Sequence, residues 1–549
     1  MKKILIILVL TIFIGSCQDS WLDENPSESI STEKAFSSEE ALKATVVGLY
    51  YTMMQKESYG CYITMNSELR GDDMILTEVN NWNYFVSDYN YSYEPGSSYG
   101  NKIYLSLYET IEGCNSILDA DKEEKINLTD DIKVKYLAEV KAIRAQCYFT
   151  LVRLFCNPYT KDDGDSAGLP LKIESDVDVL YGRGKVKDVY TQIIKDLIYA
   201  EKYIPELTNL SDQMNKTYVQ GLLARVYMTM GNYTEAVKMA QEAQKTAPTL
   251  SQEDYTIGVT QDNPSIIFRI EYTDNTYLQY NSLQSAYDYG YLDAGGYGVM
   301  GAAPDFVAKY DAQDRRQSWF INSWCYTNVV PFGAPMTYTS FLSLLSNETY
   351  YKNFSGQLWP ANLWDESTGT LKDGSIEKLK RRVWDPSAFH SQVSMFGKFP
   401  RKDATYAYGT DEMGNPGTPC LGDVTMMRSE ELYLIEAECA AMAEDYSTAR
   451  NALLKIQENA NAQLFSGSDR ELLAAIRLER RKELIGEGFR IFDIIRQGET
   501  VTRNNYWGNS EFRVLNPNND DSKVILPIPQ ATIDSNPKMS NEDQNSAYK

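Results

Sequence analysis

Two stretches of this chain repeat each other. Residues 224–237, ARVYMTMGNYTEAV, align with residues 437–450, AECAAMAEDYSTAR, at a constant offset of 213. Ala224 falls on Ala437, Tyr233 on Tyr446 and Ala236 on Ala449. In both, small residues precede a turn, and a tyrosine and an alanine open the next helix. Small side chains let paired helices approach closely, while the tyrosine fills the space between neighbouring pairs. A unit of this kind near both ends of a chain predicts a scaffold of stacked helical hairpins.

The rest of the helical pattern agrees. SSEEALKATVVGLYYTMMQ (37–55) places Leu42, Val46, Leu49 and Met53 on one face, with Ser37 and Glu40 set as a capping box. DDIKVKYLAEVKAIRAQCYFTLVRLF (130–155) and VKDVYTQIIKDLIYAEKYIP (186–205) repeat the periodicity, and Pro205 ends the second. The repeated pair resembles the tetratricopeptide helix–turn–helix. Between these parts the composition changes. Residues 80–99 hold five tyrosines, a tryptophan and four asparagines, and residues 255–425 are rich in Gly, Pro, Ser, Thr and aromatics. The expected fold is mainly α: a tetratricopeptide-like helical scaffold with an inserted irregular, loop-rich ligand-binding region. The expected segments are a signal peptide at 1–16, helical regions at 17–254 and 426–549, and the insertion at 255–425.

The N-terminus starts with Lys2 and Lys3, and Ile4–Ile14 is apolar. Eleven helical residues reach roughly 16 Å, about half of a hydrocarbon core, so the run has signal-peptide length rather than spanning length. Gly15-Ser16-Cys17 follows and resembles a bacterial lipobox, which implies cleavage after Ser16 and acylation of Cys17. No later segment has the run of apolar residues a membrane helix needs.

Bulk chemistry removes several function classes. The 549 residues carry a formal charge of −23, which argues against a nucleic-acid partner. The cysteines form no CxxC pair, and Cys114, Cys147 and Cys439 lie in helical apolar patterns as buried thiols. A single histidine, His390, excludes His-rich zinc sites and has no nucleophile motif beside it. GYGVMG (296–301) fits G-x-G-x-x-G, but no apolar strand precedes it and Pro304 follows, so it fails as a dinucleotide loop. KDDGDSAG (161–168) bunches acids without the alternating ligands of a calcium loop and reads as a solvated turn. Glu479, Arg480, Arg481, Glu483, Glu487, Arg490, Asp493 and Arg496 have the spacing of a structural ion-pair network. No cofactor or metal is expected.

Several stretches then point to one family. GDVTMMRSEELYLIEAECAA (422–441), LERRKELIGEGFRIFDIIRQG (478–498) and ILPIPQATIDSNPKMSNEDQN (525–545) resemble the C-terminal signatures of the SusD/RagB family. AEVKAIRAQCYFTLVRLF (138–155), GLPL (168–171) and SWLDENPS after Cys17 resemble its N-terminal ones. The resemblance implies a non-enzymatic lipoprotein on the outer face of a Gram-negative outer membrane. Such a protein would capture glycans, or in some members peptides, for a SusC-like TonB-dependent transporter; the alternative from another class is a surface glycan hydrolase working with two carboxylates. It would touch the membrane through its lipid alone. Gln18 after the lipid cysteine lacks the usual inner-membrane retention signal.

The family's ligand contacts lie outside its signature motifs, so candidate site residues rest on chemistry. Sugar rings stack on aromatic faces while amides and carboxylates bind their hydroxyls, which calls for exposed rings on loops. DDMILTEVNNWNY (72–84) offers Asp73, Trp82, Asn83 and Tyr84, and YDYGYLDAGGYG (287–298) offers Tyr287, Tyr291 and Tyr297. Trp324 is a further candidate, whereas Trp319 follows a stretch that reads as scaffold.

Overall fold

The computed structural model describes residues 35–320 except 77–82, 97, 177, 207–211, 248–258, 260–262, 274, 288–297 and 312. It also describes Lys398, residues 422–503 and 523–549, and the short strands 364–365, 370–371 and 514–515. The longer helices are α1 (Glu39–Met53), α2 (Tyr62–Leu69), α3 (Tyr99–Lys122), α4 (Asp130–Phe155), α5 (Val186–Tyr203), α6 (Lys216–Met230) and α7 (Tyr233–Gln244). After the insertion come α8 (Ser429–Met442), α9 (Tyr446–Asn459), α10 (Asp469–Leu484) and α11 (Arg490–Gln497). No helix among the described residues is long and apolar enough to cross a membrane.

Each helix packs on its neighbour in turn from α3 to α7, and α7 then packs directly on α8. The solenoid therefore continues across an excursion of the chain as if that excursion were absent. A two-strand clasp makes this possible. Strand β1 (Ile266–Ile270) leads out and β2 (Val424–Arg428) leads back, antiparallel, with Phe268 opposite Met427. Inside the excursion Met300–Ala302 pairs with Met74–Leu76, so the insertion folds back onto the N-terminal helices. That pairing puts Met300 and Gly301 of the glycine motif in a buried strand.

The repeat is conserved in geometry down to its turn. Gly231 and Glu444 both adopt left-handed φ, 77° and 62°. Asn232 N donates to Tyr227 O and Asp445 N to Ala440 O, each at 2.9 Å. Both are the six-to-one bond of a Schellman ending, which satisfies otherwise orphaned helix carbonyls. Ala224, Ala236, Ala437 and Ala449 are fully buried, as close helix approach requires.

Helix limits largely follow the sequence pattern, with α4 matching its run at both ends. The α1 cap is Ser38, one residue later than expected, and its side chain accepts from Ala41 N at 3.2 Å. Cys114, Cys147 and Cys439 are buried free thiols, as are Cys61 and Cys156. Asp165 pairs with Lys185 and Lys187, and Asp162 with Ser166, so acids of the turn at 161–168 are engaged by nearby side chains.

A non-glycine residue in left-handed conformation costs about 1 kcal/mol. Glu444 is exposed, so Glu444→Gly is expected to stabilise the protein by roughly 0.5–1 kcal/mol. Gly231→Ala is expected to destabilise it by about as much. Denaturant midpoints at constant m-value would check both.

Candidate functional site

Glu479, Arg480 and Glu483 of α10 and Arg490 and Asp493 of α11 are buried and paired. Arg316 contacts Asp314 at 2.8 Å, Glu483 at 2.9 Å, and Glu479. Arg428 reaches Glu483 at 2.7 Å, Glu430 at 2.8 Å and Glu487 at 2.8 Å. Lys398 lies 2.5 Å from Glu487 and donates to the Glu483 and Ile485 carbonyls. Burial pushes the Glu487 carboxyl up, but Arg428 and Lys398 outweigh it and hold the group below its ordinary range. These charges are committed to one another away from solvent, which makes the cluster a structural network.

Two residues expected on exposed loops belong to this interior. Asp73 is 1% exposed. Its carboxylate pairs with Arg481 and lies 3.4 Å from Arg490, and its carbonyl accepts from Ala303 N. It is a strut between the N-terminal helices, α10 and the insertion. Tyr287 is 2% exposed and donates its hydroxyl to Gly486 O at 2.7 Å. Trp319 is buried too. Sequence spacing could not show these partners, because they lie hundreds of residues away along the chain.

Tyr84 is placed differently. It sits between Asn83 and Phe85, whose φ values are 61° and 53°. Two left-handed sites flanking one ring are unusual for non-glycine residues, above all for a bulky phenylalanine. Phe85 is fully buried and stacks on Tyr99 at 3.9 Å and 15°, and Tyr62 meets both rings edge-on. The half-buried Tyr84 donates to Asn281 Oδ1 at 2.8 Å. Its neighbour Tyr280 is 45% exposed, and Asn83 is exposed as well. Tyr84, Tyr99 and the Asn281 amide thus meet, with exposed Asn83 and Tyr280 next along the chain to Tyr84 and Asn281. Tyr280 and Asn281 were not among the sequence candidates; the only signal was the tyrosine-rich run YTDNTYLQYN (272–281). Trp82, Tyr291, Tyr297, Trp324 and Cys17 lie outside the described residues.

Next to this face is a small, narrow cleft whose walls include Thr64, Gln284, Tyr287, Asp423 and Glu487. One wall is the turn leading into α11, with Gly486 and Gly488 at φ 79° and 82°. Glu68, one helical turn after Thr64, accepts from Gly488 N at 2.7 Å and Phe489 N at 3.1 Å. Burial and the nearby Asp73 push its carboxyl up to about 7, against the pull of those amides.

Residues 264–548 match the sequence profile described as the SusD family. Residues 20–228 match a second, described as starch-binding associating with outer membrane. The chain belongs to the SusD family. SusD-like protein P25 of Formosa agariphila is 23% identical over 100% of both chains. SusD-like protein P2 of the same organism is 26% identical over 44% of this chain and 45% of its own, so that alignment spans less than half of the relative. Among solved structures, a SusD superfamily protein of Bacteroides thetaiotaomicron superposes with TM-score 0.71 at 21% identity, covering 92% of this chain and 99% of its own. A putative sugar binding protein of Bacteroides vulgatus gives 0.68 at 23%, covering 93% and 98%. These structures share the fold, the tetratricopeptide-like helical scaffold read from the repeat.

The SusD-family match from 264 onward contains the clasp and the ionic network, so its signature charges are those that hold the insertion on the scaffold. Their titration sets a pH profile. Glu68, Glu139 and Glu430 are all pushed up to about 7, foremost by burial. A carboxyl raised in the folded state contributes stability that is full below its unfolded value and lost as pH rises through the folded one. Asp493 is the opposite case: Arg480 and Arg496 overcome its burial and hold it near 2, so its contribution is lost on acidification. Thermal stability is expected to peak near pH 5 and fall towards pH 8. Glu68→Gln should flatten that fall by raising the Tm at pH 8, with little change at pH 5; thermal melts across the range would check it.

Proposed function

We propose that this chain is a cell-surface glycan-capture lipoprotein that delivers oligosaccharides to a SusC-like TonB-dependent transporter of the outer membrane. The observation that carries the reading is the ring-and-amide face of Tyr84, Tyr280, Asn83 and Asn281, held by a strained turn on a rigid helical scaffold. Backbone strain at a surface turn persists where surrounding packing enforces it, and it fixes a ring for contact before a ligand arrives. Trp82, Tyr291, Tyr297 and Trp324 are proposed to extend this face. The clustered carboxylates are used internally, which supports binding without turnover. The sugar-binding description of the Bacteroides vulgatus protein supports the same reading.

Acyl chains on Cys17 would contribute ~0.8 kcal/mol per buried methylene, enough in combination for stable anchoring. Replacement Cys17→Ser is expected to move the protein from the membrane to the soluble fraction on cell fractionation.

Binding is tested by titrating the mature chain with a panel of oligosaccharides and peptides, using intrinsic fluorescence and analysis of the recovered ligand. Saturable binding of an intact saccharide is expected, and Tyr84→Ala should weaken it roughly tenfold, about 1.4 kcal/mol, with helix content unchanged. Capture of peptides alone, or recovery of cleaved saccharide, would overturn the proposal.

A further inference from the structure

Lys102 lies in the first turn of α3, one turn after Tyr99. Its ammonium is 5.4 Å from the Tyr99 ring centroid and 5.9 Å from that of Tyr62. Tyr84 adjoins the same two rings, at 5.8 Å and 6.3 Å between centroids. The cation is therefore part of the aromatic face described above. Lys102 is exposed, and no carboxylate among the described residues forms an ion pair with it.

The carboxylates nearby are otherwise engaged. Asp88, one turn after Phe85, is fully buried and held by Asn66 at 2.5 Å and Ser87 at 2.9 Å. Glu57, before α2, lies 3.8 Å from Lys56. The first turn of α3 contains no acid. In a chain with a formal charge of −23, this cation at the edge of the ring surface thus has no ion-pair partner among the described residues. At physiological salt, screening over about 8 Å makes this local charge count for more than the distant negative surface. A neutral sugar would use the rings and amides and gain little from an ammonium. A saccharide bearing an anion could stack on Tyr84 and place that anion on Lys102.

We propose that the Tyr84 face selects acidic saccharides, with the ligand's carboxylate or sulfate seated on Lys102. This rests on the glycan-capture reading and narrows its substrate class.

The test uses the mature full-length chain in affinity electrophoresis through gels containing polygalacturonate, alginate or a sulfated carrageenan. Each gel is paired with one holding the carboxyl-reduced or desulfated form of the same polymer. The proposal expects retardation by at least one acidic polymer and loss of that retardation in its neutral counterpart; which pair responds separates uronate from sulfate. Lys102→Gln should weaken the acidic interaction five- to tenfold and reduce its salt sensitivity, while Lys102→Arg retains it. Lys102 is exposed, so both variants should keep the parent Tm. Equal binding to charged and neutral polymers, or an acidic interaction indifferent to Lys102→Gln, overturns this proposal and leaves glycan capture standing. Binding to none of these gels or to a wider neutral panel overturns both.

Discussion

Burying a carboxylate without a partner costs several kcal/mol, and α10 buries Glu479 and Glu483 while the turn after it buries Glu487. Their partners come from elsewhere: Arg316 and Lys398 from within the excursion, Arg428 from the returning clasp strand. The last helical region can therefore be solvated correctly only if the excursion is docked on it. Breaking one partner of such a pair typically costs 3–5 kcal/mol, more than the margin most single contacts provide. This dependence ties an irregular segment to a solenoid that could otherwise stack without it.

The solenoid has its own logic. The endings at Gly231 and Glu444 match in backbone conformation and hydrogen bonding although glycine occupies only one of them. Packing of the buried alanines fixes how closely the helices approach, and the turn must follow. Tertiary closeness thus overrides a local preference worth about 1 kcal/mol.

These relations explain what the sequence made legible. Helical periodicity is local, so α4 and the repeat could be read with little error, and the ionic cluster declared itself through its density of paired charges. Asp73 and Tyr287 could not be placed, because the signals used for them, an acidic pair and a tyrosine-rich glycine segment, describe exposed and buried loops equally well. Only Arg481 and Gly486 decide between those states, and both approach through tertiary folding. Tyr84, expected on an exposed loop, is half-buried at a turn whose left-handed Asn83 and buried Phe85 flank it, a geometry that the aromatic run alone did not specify.

The core and the binding face meet at a few residues. Glu487 both closes the ionic network and lines the cleft, Tyr287 in the cleft wall bonds to Gly486, and Glu68 caps the turn containing them. Thr64 and Tyr62 share α2 with Glu68, and Tyr62 packs directly against Phe85 and Tyr99 beneath Tyr84. Moving this surface would require unpairing buried charges or unstacking buried rings, each costly in a close-packed interior. The face is therefore preformed, and a ligand bound there would spend little binding energy on ordering it.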